Sequence, residues 1–310
     1  MKTALFSLAL GLLTCFNVTF AQSGSSSKSS TTETAAPEGK NIVETAAEAG
    51  SFNTLLTAAK AAGLAKALTT GEYTVFAPTD EAFAKVDKKV IAELLKPENK
   101  AQLAAILSYH VVPGKVKAAD AAKLTAAPTL NGQRLALDVK AKPPTVGGAK
   151  VVKTDIVCSN GIIHVVDAVI MPVTKTIPEV ATEVGKFKTL LTAAKAAGLA
   201  ETLGTEGPFT VFAPTDKAFA KLPEGTVEDL LKPENKDKLA DILKYHVVSG
   251  RVYAADALAA KKAPTLLKEK KLKVAKVGKD VKVNDAKVVM PNVEASNGVI
   301  HVIDSVLLPE

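Results

Sequence analysis

The sequence contains four histidines, and histidine is the side chain best suited to proton transfer near neutral pH. They are His110, His164, His246 and His301. A catalytic histidine needs a partner on the same side of its element, commonly a carboxylate. His164 and Asp167 are three residues apart on a predicted strand, so their side chains point to opposite faces. His301 and Asp304 repeat that spacing. Neither pair therefore predicts an acid–base site.

His110 and His246 each follow a tyrosine and precede two valines. This setting favours a half-buried polar side chain that is satisfied by a nearby hydroxyl or backbone group. Contact with a ligand is the alternative.

Cys158 is the single cysteine outside the first 21 residues, and a thiol there could act as a nucleophile. It shares a strand face with His164, but six residues of strand separate the two by roughly 20 Å. A small half-buried filler is favoured over a reactive or dimer-forming thiol. The sequence also lacks a G-x-S-x-G turn, a Gly-rich phosphate loop and paired-cysteine metal motifs. We expect no catalysis, cofactor or metal, while a site assembled from distant residues stays open.

The formal net charge is +7 at pH 7, and the basic excess is concentrated in residues 261–287. In 271–274 and 281–283 lysines alternate with apolar residues, which places them on one strand face. Such a face either attracts anionic polymers or is a solvated surface that discourages edge-to-edge strand pairing. The candidate polyanion face comprises Lys268, Lys270, Lys271, Lys273, Lys276, Lys279 and Lys282.

Arginine and tryptophan are scarce. The chain has two arginines, Arg134 and Arg251, and no tryptophan. Specific reading of phosphates and bases relies on arginine forks, and single-strand binding relies on exposed aromatic rings. We therefore expect no specific binding of nucleic acid.

The elements that must position these residues occur twice. Thr-Val-Phe-Ala-Pro-Thr-Asp at 74–80 returns at 210–216, and Tyr-His-Val-Val at 109–112 returns at 245–248. Ser-Asn-Gly-x-Ile-His-Val-x-Asp at 159–167 returns, with valine for the first isoleucine, at 296–304. A period of about 136 residues is domain-sized. It predicts domain one at 40–173 and domain two at 176–310, each with its own core.

Local signals predict the order of elements. Thr-Val-Phe favours a strand, Ala-Pro ends it, and Thr-Asp supplies oxygens for the free N–H groups of a new helix. Asn41 with Glu44, and Thr176 with Glu179, resemble capping boxes. Helices are expected near 88–96 and 98–108, and strands near 149–153 and 162–170.

Turn residues divide the later part of each domain. An Asn131-Gly132 turn before alternating apolar residues at 134–139 predicts a hairpin. Asn160-Gly161 and Asn297-Gly298 are expected to make turns because both residue types tolerate positive φ. Helices early and strands late indicate an α+β fold with a largely antiparallel sheet.

The N-terminal segment is typical of an exported protein. Lys2 precedes a short apolar run, and a small-residue site allows cleavage between Ala21 and Gln22, so residues 1–21 are predicted to be a signal peptide. A lipid on Cys15 and a retained membrane anchor are alternatives. Residues 22–39 are rich in Ser and Thr and are expected to form a disordered tether.

The recurring motifs together resemble the fasciclin domain. They occur in the family's order in both copies and cover nearly all of the chain after the tether. The resemblance implies two tandem compact β-wedges, each of about seven strands with a helical cap. It also implies a role in adhesion to cells or matrix, without catalysis.

In animal members of that family, a Tyr-His pair and an Asp-Ile pair are described as integrin-recognition elements. The matching positions here are Tyr109, His110, Asp241, Ile242, Tyr245 and His246. The Asp-Ile pair is present in domain two alone, since domain one has Ala105 at the first position.

The leading interpretation is an exported, non-catalytic adhesion or extracellular-matrix-binding protein. Its expected partner is a cell-surface or matrix protein or an anionic polysaccharide, and the protein is expected to be a monomer without a transmembrane anchor. It would be secreted, extracellular or periplasmic, with or without association with the cell surface. The alternative function is a carrier of a small apolar ligand.

Overall fold

The computed structural model describes residues 39–309. The predicted signal peptide, its cleavage site at Ala21 and Gln22, and the tether up to residue 38 lie outside the described residues. The helices of domain one are α1 (Ile42–Ala49), α2 (Asn53–Ala62), α3 (Ala65–Thr70), α4 (Asp80–Ala84), α5 (Lys88–Leu94), α6 (Lys100–Tyr109) and α7 (Ala118–Ala121), with a 3-10 turn at Pro97–Asn99. Its strands are β1 (Tyr73–Pro78), β2 (Val111–Pro113), β3 (Ala126–Pro128), β4 (Arg134–Asp138), β5 (Thr145–Val146), β6 (Ala149–Cys158) and β7 (Gly161–Val166).

Domain two repeats this order. Its helices are α8 (Ile177–Val184), α9 (Lys188–Ala196), α10 (Ala200–Thr205), α11 (Asp216–Phe219), α12 (Thr226–Leu230), α13 (Lys236–Tyr245) and α14 (Ala254–Ala260), with a 3-10 turn at Pro233–Asn235. Its strands are β8 (Phe209–Pro214), β9 (Val247–Ser249), β10 (Lys262–Pro264), β11 (Lys271–Val277), β12 (Asp280–Val283), β13 (Ala286–Ala295) and β14 (Gly298–Ile303).

Each domain contains one seven-stranded sheet. The strand order is β2-β1-β7-β6-β5-β4-β3 in domain one, and β9-β8-β14-β13-β12-β11-β10 in domain two. The pairs are antiparallel except β1 with β7 and β8 with β14, which are parallel. The predicted α+β class, the seven strands and the largely antiparallel sheet are confirmed.

The central strands β1 and β7 are buried on both faces. Val75 and Ala77 pack with helices α1, α2 and α6 on one side. Phe76, between them, points to the other side and packs with Leu135 and Val146 of the outer strands. The sheet thus has a helix-covered core on one face of its centre and a second core between its centre and its outer half, which gives the wedge.

Bulges bend the long strand between these two halves. The pairing of β6 with β7 shifts register around Lys153, and Asp155 lies there at a φ of 55°. In β13 the register shifts around Met290, and Asn292 has a φ of 60°. A bulge increases local bend and twist, so it lets the outer strands fold over the central pair.

The Pro-Thr-Asp corner forms as predicted, with one difference. Thr79 Oγ1 accepts a hydrogen bond from the backbone N–H of Ala82 and caps α4. Asp80 does not cap its own helix: its carboxylate accepts from the N–H of Thr54 at 2.8 Å, at the start of α2. Helix α2 needs this cap because the residue before it, Phe52, has no side-chain acceptor. Asp216 does the same for Thr189 in domain two.

Asn160 makes a turn, but the expected reason is wrong, because neither it nor Gly161 has a positive φ. Its side-chain oxygen accepts from the N–H of Ile42 at the start of α1, and its side-chain nitrogen donates to the carbonyls of Leu68 and Gly71 at the end of α3. Gly161 is required since a Cβ there would lie 2.0 Å from the carbonyl oxygen of Tyr73. Asn297 and Gly298 repeat both features in domain two.

Other local predictions hold. Asn41 with Glu44 forms a capping box, and so does Thr176 with Glu179. The predicted hairpin is the antiparallel pair β3 and β4. The strand expected near 149–153 continues to Cys158, and the one expected near 162–170 ends at Val166.

Truncating the central aromatic should destabilise its domain strongly. Phe76 is 3% exposed and Phe212 is 2% exposed, so Phe76→Ala or Phe212→Ala leaves a cavity between the two halves of the sheet. We expect a loss of about 3–5 kcal/mol in the free energy of unfolding, measured by urea denaturation. The control Val152→Ala, on a side chain that is 67% exposed, should change it by less than about 0.5 kcal/mol. A loss below about 1 kcal/mol for Phe76→Ala would contradict the packing described.

Candidate functional site

His110 and His246 are buried parts of the fold. The Nε2 atom of His110 accepts a hydrogen bond from the N–H of Ile170 at 2.9 Å, so Nδ1 carries the proton and donates to the carbonyl of Ile106 at 2.8 Å. His246 makes the same contacts in domain two. Burial lowers the pKa of both rings to about 4, although the carbonyl partner opposes this shift. Both rings are therefore neutral near pH 7, with no nitrogen available to a substrate.

His164 and His301 stabilise the bulges. The Nδ1 atom of His164 accepts from the N–H of Asp155 at 3.2 Å, and its Nε2 donates to the carbonyl of Val116 at 3.0 Å. Its ring stacks on Phe76, with centroids 5.4 Å apart. His301 and Phe212 repeat the arrangement. Each of these histidines thus joins a bulge, a loop and the central aromatic.

Cys158 is buried, at 4% exposure, and belongs to the helix-side core of domain one. The matching position in domain two, at the end of β13, is Ala295, which is fully buried. The filler interpretation is correct, and burial is more complete than expected. Within residues 39–309, no group of three or more His, Cys, Asp or Glu side chains is placed to hold a metal ion.

The predicted adhesion residues lie mostly in the core. Exposure is 8% for Tyr109, 1% for His110, 7% for Ile242, 6% for Tyr245 and 2% for His246. Asp241 is the exposed member and lies 3.5 Å from Lys244 in an ion pair. A partner can therefore reach Asp241 directly, whereas the other five side chains pack inside the domains.

The predicted lysine face divides into three parts. Lys271, Lys273 and Lys282 lie on one face of the sheet, since Ala275 of β11 is opposite Lys282 of β12. Lys276 is opposite Val281 and so lies on the other face, which corrects its assignment to a common strand face. The remaining three are in turns: Lys268, Lys270 and Lys279. The same register adds Lys262 and Lys287 to the face, two residues that the sequence interpretation omitted.

The apolar cavities are small. One lies between the helices and sheet of domain one and is lined by side chains such as Ile42, Leu55 and Leu107; it measures about 40 Å³. The matching cavity in domain two also measures about 40 Å³. Pockets that hold small ligands measure about 300–1,000 Å³. Neither described cavity is preformed for the apolar ligand of the carrier hypothesis.

The two domains meet at a polar junction that the sequence interpretation did not foresee. The guanidinium of Arg134 lies 4.0 Å from the ring centre of Tyr253 and donates to Asp256 at 2.7 Å. The backbone N–H of Arg134 donates to the Tyr253 hydroxyl at 3.1 Å. Gln133 holds the linker, because its side chain both accepts from and donates to the backbone of Val173. The junction thus fixes domain one to domain two through directional contacts.

Glu294 is the acidic centre of the junction. Burial raises the pKa of its carboxyl, although the Tyr253 hydroxyl, the Arg134 backbone N–H and two guanidinium charges favour the ionised form. Arg251 lies 3.4 Å from this carboxylate. Burial also raises the pKa of the Tyr253 hydroxyl, so it remains a donor to Glu294 across the physiological range. The ionisable groups of the junction therefore act as structural partners.

The residues on the domain-two side of this junction are not repeated in domain one. The domain-one positions that correspond to Tyr253 and Glu294 are Lys117 and Val157. Both arginines of the chain belong to the junction. Their rarity was visible in the sequence, and comparison of the two repeats at these positions is the signal that could have located the contact.

Comparison with known proteins identifies both repeats. The profile of the Fasciclin domain matches residues 50–172 and 185–309. A relative from Synechocystis, Protein sll1483, is 58% identical over 134 residues, which is 43% of this chain and 73% of that protein. Transforming growth factor-beta-induced protein ig-h3 of Oryctolagus cuniculus is 32% identical over 244 residues, which is 77% of this chain. The chain spans about a third of the length of ig-h3, namely 35%.

Among solved structures, a FAS1 domain pair from the insect cell adhesion molecule Fasciclin I is similar to this chain. The match covers 86% of this chain and 98% of the insect chain, with 21% identity and a TM-score of 0.42. Within residues 39–309, the helices are all too short or too polar to cross a membrane.

Mild acid should destabilise both domains. His110 and His246 have folded-state pKa values of about 4, below the ordinary 6.5, so the unfolded chain binds more protons between these values. The free energy of unfolding therefore falls as the pH drops through that window, by about 2–3 kcal/mol per ring at pH 4.5. Urea denaturation at pH 7, 5.5 and 4.5 measures the loss.

The matched control replaces both rings by glutamine, as His110→Gln with His246→Gln. This variant should be less stable at pH 7 but lose much less stability between pH 6.5 and 4.5. Asp80 and Asp216 do not interfere: burial raises the pKa of each carboxyl, but hydrogen bonds outweigh it and hold the pKa below its ordinary value. Burial also lowers the pKa of His301, which is present in both proteins, so a small part of the loss remains in the control. Equal losses in the two proteins would show that the rings do not titrate as described.

Removing the Arg134 side chain should loosen the junction. Arg134→Ala deletes the ring stack and the ion pair with Asp256, and a cation over a ring contributes about 0.5–2 kcal/mol. Dyes attached to Lys88→Cys and Lys279→Cys should report a broader distribution of distances between the domains. The control Lys150→Ala removes another cation from the same sheet face and should leave that distribution narrow. The junction is wrongly described if both variants behave alike.

Proposed function

The chain belongs to the fasciclin family, an adhesion-type family, and on this premise we propose that it is an exported, non-catalytic attachment protein. Its two domains would bind cell-surface or matrix partners, either proteins or anionic polysaccharides. We place it outside the cytoplasm, secreted or periplasmic, and in contact with a cell surface or matrix when bound. It acts as a monomer in this proposal.

One observation carries the proposal: the histidines and the cysteine within residues 39–309 are used inside the fold. Both ring nitrogens of His110 and of His164 hold backbone groups, and the second domain repeats these contacts. The thiol of Cys158 is buried. What each domain offers to a partner is therefore its outer surface, which suits binding.

The junction supports a combined use of the two domains. Arg134, Tyr253 and Asp256 hold the domains in one arrangement, so a partner bound by one domain stays close to the other. Two weak contacts on one body reinforce each other through effective concentration. This provides a physical reason for the duplication.

Attachment can be tested with fluorescently labelled full-length chain on the native cells and on their isolated extracellular material. We expect saturable retention that unlabelled chain displaces, and release of no product from the retaining material. Cys158→Ala, which copies the residue of domain two, should bind equally well. Absence of saturable retention on both materials, or a chemical conversion that Cys158→Ala abolishes, would overturn the proposal.

A further inference from the structure

Domain two has an end that corresponds to the end of domain one used in the junction. In domain one, the turn between β3 and β4 leads into the junction: Gln133 holds the linker, and Arg134 contacts Tyr253 and Asp256. The surface of α6 beside this turn, at Gln102 and Ala105, also faces the second domain across a space shared with Ser296. This end of domain one is therefore in contact with domain two at the turn, with an open cleft between α6 and the second domain.

The same end of domain two is exposed. Its turn between β10 and β11 has the same internal bond, from the Thr265 hydroxyl to the carbonyl of Lys270, as the Thr129 hydroxyl makes to the carbonyl of Gln133. Lys271 is opposite Pro264, as Arg134 is opposite Pro128. Three of the side chains exposed at this end are cationic: Lys268, Lys270 and Lys271.

A groove of about 820 Å³ runs beside this turn. Its charged lining consists of Lys270, Lys271 and Lys273 together with one carboxylate, Asp285, so the cations outnumber the anion. Lys271 and Lys273 also lie on the outward face of the sheet, where the strand register adds Lys262, Lys282 and Lys287. The open end and the sheet face thus form one continuous cationic surface, which we call the lysine surface.

The charge of the lysine surface is specific to domain two. Six matched sheet positions carry five lysines there and one alanine, Ala275. In domain one the same six positions are Ala126, Arg134, Ala136, Asp138, Thr145 and Lys150. Since the two sheets have the same strand order, the fold alone does not require the lysines. Within the described part of the chain, Lys262, Lys271, Lys273 and Lys282 form no ion pair with a carboxylate, while Lys287 pairs with Asp280.

We propose that the lysine surface binds an acidic polysaccharide, through repeated carboxylate or sulfate groups along the polymer. Lysines on a strand and its neighbours offer point charges that meet a row of anions without a fixed fork geometry. The surface lacks arginine, the residue that recognises phosphate best. Its groove contains one aromatic side chain, Tyr245, which is only 6% exposed and so offers little ring surface for stacking. Protein partners are usually anchored by exposed aromatic or arginine side chains, which are absent among the groove-lining residues. An acidic polymer therefore fits this surface better than nucleic acid or a folded protein.

This inference deepens the attachment function proposed above by naming the partner class and the site. It assigns recognition of the polymer to domain two, while domain one has its equivalent end occupied. Asp241 lies on the α13 surface that corresponds to the α6 surface facing domain two. Its pairing with Lys244 reduces the acidic character of this end.

The test compares two triple variants of the full chain that remove the same charge. Lys271→Gln with Lys273→Gln and Lys282→Gln neutralises the lysine surface. Lys66→Gln with Lys88→Gln and Lys89→Gln neutralises exposed lysines on the helices of domain one. Retention is measured on immobilised heparin, polygalacturonate and polyglutamate, with neutral dextran as a blank, at low and high salt. Urea denaturation verifies that both variants remain folded, and sedimentation velocity reports self-association.

We expect the unmodified chain to bind at least one of the two acidic polysaccharides at low salt and to release it at high salt. The lysine-surface variant should bind roughly tenfold more weakly, because three exposed charge contacts of modest strength are removed. The helix variant should bind like the unmodified chain. Equal losses in the two variants, binding to neither polysaccharide, preference for polyglutamate, or a copy-to-copy complex through this surface would each overturn the inference. If the inference fails but the attachment function is correct, the chain should still be retained on native cells. Retention on native cells therefore distinguishes failure of the inference from failure of the attachment function.

Discussion

The parallel pairing of β1 with β7, and of β8 with β14, is the interaction on which the rest of each domain depends. The two strands are distant in sequence, adjacent in the sheet and buried on both faces. Burial on both faces requires that every nearby polar group find a partner inside the protein. Thr74, fully buried on β1, satisfies this by donating to the carbonyl of Gly114 and accepting from the N–H of Val116. The residues of the repeated motifs around this strand pair mainly provide those hydrogen-bond partners.

This demand explains why residues with catalytic potential serve the structure. His164 joins a bulge to a loop, His110 joins a helix end to the segment after β7, and Asn160 ties α1 and α3 to the sheet. Among the described residues, no buried side-chain nitrogen or oxygen is left without a hydrogen-bond partner. A group that already holds two backbone partners stabilises the fold but has no remaining capacity to bind a substrate. The outer surfaces, in contrast, are where the two copies differ.

The two domains differ at the end that domain one uses in the junction. Domain one presents Arg134 at one end, and domain two binds it with Tyr253, Asp256 and Glu294, while the neighbouring Gln133 holds the backbone of Val173 in the linker. A contact between unlike surfaces of two similar domains leaves the equivalent end of the second domain uncovered. There the sequence places lysines instead of the junction residues. Within residues 39–309, duplication thus supplies two domains held together by one junction, and substitution at a few positions changes the charge of the equivalent end of domain two.

The sequence by itself determined the features that depend on near neighbours or on repetition. The caps at Asn41 and Thr79 and the β3–β4 hairpin involve partners a few residues away, and the repeated motifs revealed two domains of one family. Tertiary structure alone decided that Asp80 caps α2, that the Tyr-His pairs are buried, and that Lys262 and Lys287 join the lysine face. It also decided that Arg134 meets Tyr253, 119 residues later in the chain. The physical reason is that a local pattern specifies a residue's own element and face, whereas its contacts depend on which distant element the folded chain brings against that face.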